Sequence, residues 1–234
     1  VTTLFISDLH LSDDHPELLD QFEAFIAQQA TQAEALYILG DLFEAWIGDD
    51  CKSAAADRVA EALHALSTRG TRIYFIHGNR DFLLGQQYAD RCGMILLPDP
   101  SLIDCEGKKV LITHGDLLCT DDKNYQKLRR IVHTRWIQRL FLALPLSFRE
   151  TLAKALRKES MKANPHKIAA LMDTTPATVA AWFQVHDLQL MVHGHTHKPA
   201  HHQVGNTHRY VLGAWDIKPI VLVYAGGQWI LKEL

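Results

Sequence analysis

Short, unbroken apolar runs along the first third of the chain each stop at polar residues able to bind a ligand, and helical stripes separate them. Thr2 to Ser7 is a β-rich run that ends in Asp8-Leu9-His10, and the period of two along an extended segment points Asp8 and His10 to the same side. Glu17 to Ala30 repeats Leu18, Leu19, Phe22, Phe25 and Ile26 at helical spacing and predicts an amphipathic crossover helix. Ala35 to Leu39 is apolar throughout, as in a parallel strand buried on both faces, and it breaks at Gly40 to deliver Asp41. Ala54 to Thr68 reads as a second helix closed by Gly70, and Arg72 to Ile76 as a third strand running into His77-Gly-Asn-Arg-Asp81. Strand, helix and strand in this order begin an α/β sheet, whose ligands gather at the carboxyl ends of the strands.

The spacing then predicts a helix over Phe82 to Arg91 and short strands over Met94 to Leu97, Ser101 to Cys105 and Lys109 to Thr113, the last ending at His114-Gly-Asp116. Between Thr120 and His186 the pattern becomes helical: Tyr125 to Leu144, a break at Pro145, Phe148 to Lys158, and shorter helices around Ile168 and Val179. Residues 120–186 are therefore expected to form an inserted helical cap on a core made of residues 1–119 and 187–234. Leu188 to Val192 restores a strand and ends in Gly194-His-Thr-His197, after which Gly205-Asn206 and Gly226-Gly227 mark hairpin turns.

Composition narrows the class. With 234 residues, 47% of them hydrophobic, the chain can bury one substantial core and still carry an insertion. No apolar run exceeds seven residues (Leu140 to Leu146, counting Pro145), against the roughly 20 a spanning helix needs. Cys51, Cys92, Cys105 and Cys119 form no Cys-x-x-Cys pair and nothing resembles a secretory signal, so free thiols in a reducing cytoplasm are expected. The chain starts at Val1, and an initiator Met is expected before it. The net charge of −3 is unevenly spread: Thr120 to Ala170 holds 12 Lys and Arg against 4 Asp and Glu. That basic segment suggests an anionic substrate or surface, with Arg149, Lys154, Arg157 and Lys158 expected to meet anionic lipid.

Five predicted strand ends carry Asp8/His10, Asp41, Asn79, His114 and His195/His197, an oxygen and nitrogen donor set without thiolate that suits Mn, Fe, Zn or a similar ion. In chain order these residues meet the pattern Asp-x-His, Gly-Asp, Gly-Asn-His-Asp/Glu, His and Gly-His-x-His, and here the sequence resembles the calcineurin-like metallophosphoesterases. The resemblance implies an α/β fold, a two-layer β-sandwich flanked by helices, and two divalent metals. One metal would sit on Asp8, His10 and His197, the other on Asn79, His114 and His195, with Asp41 bridging. It further implies catalytic roles for Asp41, Asn79, His114 and His195, and a catalytic role is expected of Arg80 beside them. Arg80 stands where the broad family has His, and Arg donates no proton at neutral pH. It either grips phosphate through its planar fork or pairs with Asp81.

A closer resemblance lies in Gly40-Asp-Leu-Phe-Glu-Ala-Trp-Ile-Gly-Asp-Asp50, His77-Gly-Asn-Arg-Asp-Phe82, Cys119-Thr-Asp-Asp122 and His193-Gly-His-Thr-His197. These stretches are similar to the UDP-2,3-diacylglucosamine diphosphatases of lipid A biosynthesis. That family implies hydrolysis of the substrate anhydride to UMP and 2,3-diacylglucosamine 1-phosphate, with substrate contacts at Asn79, Arg80, Asp122, Ser160, Asn164, Lys167 and His195. It also implies Mn as the metal and a cytoplasmic protein held peripherally on the inner membrane, with no nucleic-acid or protein partner. Leu140, Phe141, Leu142, Leu144, Leu146, Phe148, Leu152 and Leu156 line an acyl-chain cleft or form ordinary helix core. A soluble dinucleoside polyphosphatase would act equally on substrates without acyl chains, and a lipid-binding module with a vestigial metal site would bind without releasing UMP.

Overall fold

The computed structural model describes the backbone of residues 1–163 and 173–234 and the side chains of residues 1–155 and 173–234. Eleven described strands form two sheets. In the first, β1 (Thr2–Ile6), β2 (Ala35–Leu39), β3 (Arg72–Ile76) and β4 (Met94–Leu97) run parallel, and β10 (Ile220–Ala225) and β11 (Gln228–Glu233) extend the β1 edge antiparallel. In the second, β6 (Lys108–Thr113), β7 (Leu190–His193) and β9 (Thr207–Val211) are parallel, with β5 (Ser101–Cys105) and β8 (Ala200–Val204) antiparallel at the edges.

The continuous apolar runs are explained by burial on two sides. On β1, Phe5 faces the second sheet while Leu4 and Ile6 face helices, and β2 divides in the same way, with Tyr37 and Leu39 against Leu36 and Ile38. Between the sheets Phe5, Leu39, Ile76 and Leu222 meet Ile112, Val192 and Tyr210, and stacked rings of Phe5, Tyr37 and Tyr74 extend the layer. On the outer face, α1 (Pro16–Gln28), α2 (Ala54–Thr68) and α3 (Gln86–Cys92) bury Phe22, Phe25, Leu63 and Tyr88. The described α-helices between β6 and β7 are α4 (Lys123–Val132), α5 (Arg135–Leu142), α6 (Leu146–Ala163) and α7 (Pro176–Val185). Of these, α7 packs Phe183 on Leu111 and Met191 of the second sheet, so this segment supplies the outer layer of the sandwich as well as α4 to α6. The four cysteines are free thiols.

Two predicted helices differ. The helix expected from Phe82 begins only at Gln86, because Leu83 and Leu84 turn into the core and the Leu84 carbonyl meets His77 Nε2 at 2.7 Å. Asp49 then caps α3, accepting from the amides of Gly85 at 2.8 Å and Tyr88 at 3.0 Å. The run from Tyr125 to Leu144 is two helices, divided at His133 and Thr134, where the His133 ring packs on Phe82 with centroids 5.1 Å apart. The helix expected around Ile168 lies outside the described residues.

Candidate metal centre

The loops after β1 and β2 remain joined beyond the strands: the amides of Asp8, Leu9 and His10 donate to the carbonyls of Gly40 and Asp41 at 2.9–3.1 Å. Those after β6 and β7 are joined likewise, with Gly194 N–H on the His114 carbonyl at 2.8 Å. Two bonds then pull the sheets' ends together. His195 N–H donates to Asp8 Oδ2 at 2.9 Å, and His114 Nδ1 lies 2.9 Å from the Leu39 carbonyl. Gly40 and Gly78 are required by this closeness: a Cβ on Gly40 would come within 2.6 Å of the Gly78 backbone and of His114 Nδ1.

The result is that Asp8, His10, Asp41, Asn79, His114, His195 and His197, drawn from five strand ends, stand together. Asn79 Oδ1 lies 3.0 Å from His114 Nε2 and 2.9 Å from His195 Nδ1, and the two imidazole nitrogens are 3.2 Å apart. On the other side His197 Nε2 lies 3.3 Å from His10 Nε2 and 3.4 Å from Asp8 Oδ1. Asp41 Oδ1 lies 3.9 Å from His114 Nε2. Asp8 belongs to both sets of metal-ligand atoms, one with His10 and His197 and the other with Asp41 and His114. Because the Leu39 carbonyl can only accept, neutral His114 carries its hydrogen on Nδ1 and turns its Nε2 lone pair to the centre, as backbone carbonyls do for histidine ligands of metals.

Five of these residues hold left-handed backbone: Asp8 (φ 55°), His10 (53°), Asp41 (52°), His195 (68°) and His197 (55°). Such conformations cost on the order of 1–3 kcal/mol each outside glycine and persist where surrounding structure imposes them. Nothing in a sequence of Asp and His announces this, and it aims each side chain inward immediately after its strand. The clamp that fixes the Asp41 loop is Asp81, fully buried, which accepts from the amides of Leu42 at 2.7 Å, Gly78 at 2.8 Å and Asp41 at 3.3 Å. Asp81 is therefore not the partner of Arg80. Arg80 Nη1 pairs with Glu44, its Nε lies 3.6 Å from Asp41 Oδ2, and 35% of its side chain is exposed.

The electrostatics favour a bound cation. Three carboxylates, Asp8, Asp41 and Asp81, are buried within one small volume, and Asp8 Oδ1 has no hydrogen-bond partner. Burial, reinforced by Asp81 and Asp8, pushes Asp41 up to about 7. Burial opposes a charge on His114, yet Asp41, Asp8 and Asp116 hold its pKa up to about 9. The field that keeps a proton there equally attracts a metal ion. Burial, with repulsion from Arg80, takes His10 down to about 3, and burial with His114 takes His195 to about 4, so both imidazoles keep a lone pair for ligation. Hard oxygen and imidazole donors with unsatisfied negative charge fit divalent ions of the Mn, Fe or Zn kind.

Sequence reasoning missed the supports around this centre. Arg129 of α4 donates to Asp116 at 2.5 Å and to Asp99 at 3.3 Å, while Tyr125 donates to Asp116 at 2.6 Å and lays its ring beside His195. Asp122 caps α4 by accepting from Tyr125 N–H at 3.0 Å. Ser160, Asn164 and Lys167 fall outside the side chains described, as do Leu156, Arg157 and Lys158. Arg149 is a correction: it is 2% exposed and bonded to protein, so it is not a lipid-facing charge. A cleft of about 370 Å³ opens beside the centre, lined by Leu11, Phe43, Glu44, Trp46, Ile47 and Lys154. A larger one of about 540 Å³ lies at the opposite end of the second sheet, and none of the seven residues lines either cleft.

The family described as Calcineurin-like phosphoesterase matches residues 1–199. A protein of Aeromonas hydrophila subsp. hydrophila named UDP-2,3-diacylglucosamine hydrolase is 47% identical over 237 residues, covering 100% of this chain and 98% of its own. A protein of Sodalis glossinidius with the same name is 50% identical over 216 residues, covering 92% and 90%. Among solved structures, an archaeal phosphodiesterase aligns over 100% of both chains with a TM-score of 0.51 at 12% identity, a likeness of fold alone.

Proposed function

Because this chain belongs to the calcineurin-like phosphoesterase family, we propose that it hydrolyses the diphosphate of UDP-2,3-diacylglucosamine, with water attacking the α phosphorus to give UMP and 2,3-diacylglucosamine 1-phosphate. The observation that carries this reading is 47–50% identity, over nearly whole chains, to proteins named for hydrolysis of that compound. In this reading Asp8, His10 and His197 would hold one divalent ion, Asn79, His114 and His195 the other, with Asp41 serving both, and the ions would be Mn. When bound, they would supply an acidified water and neutralisation of phosphoryl charge.

The chain's own groups do the positioning. Glu44 holds the Arg80 guanidinium beside Asp41, where its exposed part can fork onto a phosphate. Asn79, His195 and Asp122, with Ser160, Asn164 and Lys167, are assigned to contacts with the substrate. Tyr125 lays its ring beside His195, with centroids 6.1 Å apart. Residues 120–186 serve as the cap that takes the acyl chains, a reading supported by exposed apolar side chains on α4 to α6: Trp136 and Leu140 (62% each), Leu128 (56%), Phe148 (55%) and Ile131 (54%). Isolated exposed apolar residues are ordinary, and five on three consecutive helices support a lipid or ligand surface.

A metal-by-substrate screen tests the assignment. With Mn, UMP is expected from the diacylated UDP-sugar in strong preference to its deacylated form or to a dinucleoside polyphosphate. Equal turnover of the last would make the protein a soluble polyphosphatase, and binding of the lipid nucleotide without UMP release would make it a binding module.

Peripheral attachment to the cytoplasmic face of the inner membrane belongs to the same proposal. Among the described residues no helix is long and apolar enough to cross a membrane. In sequence the exposed apolar residues alternate with Arg130, Arg135 and Arg139, and each basic residue near an anionic surface contributes about 1 kcal/mol. Sedimentation with phosphatidylglycerol vesicles should drop on Trp136→Ser with Leu140→Ser, and binding unchanged by that pair at low and high salt would remove the membrane from the proposal.

A further inference from the structure

Among the described residues most basic side chains of the cap reach solvent, but Arg149, in the first turn of α6, does not. Its neighbour Phe148 is 55% exposed, whereas Arg149 is 2% exposed. Nε donates to the Leu144 carbonyl at 3.0 Å, within its own turn. The fork crosses to a segment 99 residues away, with Nη1 on the Ile47 carbonyl at 2.5 Å and on Asp50 Oδ1 at 2.9 Å, and Nη2 on Asp50 Oδ2. Gly48 makes room for this crossing: it has φ +136°, and a Cβ there would run into Arg149 Nη1 and come within 3.0 Å of Leu142 of the cap.

The segment that Arg149 grips is the continuation of the loop that begins at Asp41. Trp46 N–H donates to the Arg80 carbonyl at 3.0 Å, and Trp46 Nε1 donates to Asp49 at 3.0 Å. Asp49 in turn caps α3 through Gly85 and Tyr88. One end of the loop thus carries Asp41 and Glu44, its middle is tied to Arg80, and its far end is held jointly by α3 and by the cap. A lysine could not replace the contact, since one ammonium does not match a planar fork serving two carbonyls and both oxygens of a carboxylate.

We propose that Arg149 is a positioning residue that locks the first turn of α6 onto the Ile47–Asp50 segment, fixing the height of the apolar cap above the centre. A substrate that must touch cap and centre together is then met by a preset span, and a substrate that touches only the centre gains nothing from the lock. The inference rests on the acylated substrate proposed above, so its test has a part independent of turnover.

The full chain is compared with Arg149→Met, Arg149→Lys and Asp50→Asn by amide hydrogen exchange, metal content and kinetics. Arg149→Met should speed exchange in residues 42–51 and 146–153 together while two metal equivalents stay bound. It should also lower kcat/KM for the diacylated UDP-sugar by about 10-fold, the equivalent of about 1.4 kcal/mol of lost binding. The loss should fall on KM, as removal of uniform binding does, and Arg149→Lys should lie between. Should Arg149→Met fail to fold, Asp50→Asn changes an exposed carboxylate and reads the same lock. Unchanged exchange in residues 42–51 overturns the proposal, as does a loss carried by kcat alone. Faster exchange in both segments, in a protein whose parent releases no UMP from any UDP-sugar, upholds the lock and overturns the proposed substrate instead.

Discussion

Asp41→Ala should abolish turnover and remove more than one equivalent of bound metal, and this is the largest single effect expected in the molecule. Its carboxylate is buried, its Oδ1 lies 3.9 Å from His114 Nε2, and it accepts Arg80 N–H at 2.9 Å, so it faces the second ligand group while holding the Asn79-Arg80 turn. Loss of an outer partner alone costs a metal site roughly 10–100-fold, and loss of a shared ligand should exceed that. Asp41→Asn separates chemistry from backbone: Asn tolerates the left-handed conformation that Asp41 holds at φ 52°, whereas Ala does not. Both variants should therefore lose metal, and Ala alone should lose stability as well. In the proposed assignment Asp8 holds one ion only, with His10 and His197, so Asp8→Ala supplies the comparison, with loss of one equivalent expected. Metal counted after gel filtration decides it, and two ions retained by Asp41→Asn and Asp41→Ala would end the bridging assignment.

How much of this centre a reader of the sequence can see depends on whether the cause is local. Ala35 to Leu39 and Arg72 to Ile76 read correctly as strands because burial on two faces leaves an unbroken apolar run, and α2 reads correctly because Ser53 caps it and Gly70 ends it. The helix expected from Phe82 failed for a non-local reason, since its first turn is drawn away by His77 and its true start is capped by Asp49, 36 residues earlier in the chain. Charge counting failed at Arg149 in the same way. A basic segment viewed as a sum predicts a surface, but Arg129 and Arg149 are spent on Asp99, Asp116 and Asp50, partners that no periodicity links to them. Asp81 was visible only as a neighbour of Arg80, and its function as acceptor for the Asp41 loop depends on two strand ends meeting. The ligand-type residues were legible because each follows a strand directly, while the left-handed turns that aim them were not.

Arg80 stands where the wider family has a histidine, and the leaving group explains how the chemistry can proceed without that acid. If water attacks the phosphorus nearest uridine, the departing group is a sugar phosphate, whose second pKa is roughly 6, as for a phosphomonoester. Such a group leaves unprotonated at neutral pH. An alkoxide is far more basic, nearer the ~15.7 of bulk water, and needs a proton in the transition state. Arg80, paired with Glu44 and 3.6 Å from Asp41, remains a cation throughout and supplies binding in place of a proton. Anhydride cleavage with little action on unactivated alkyl phosphodiesters is therefore expected. Arg80→Ala should raise KM or lower kcat through lost phosphate binding, without removing an acidic limb from the pH profile. Hydrolysis in ¹⁸O-labelled water locates the bond that breaks: label should enter UMP, and label found only in the lipid phosphate would place attack on the other phosphorus, make UMP the leaving group, and remove this account of Arg80.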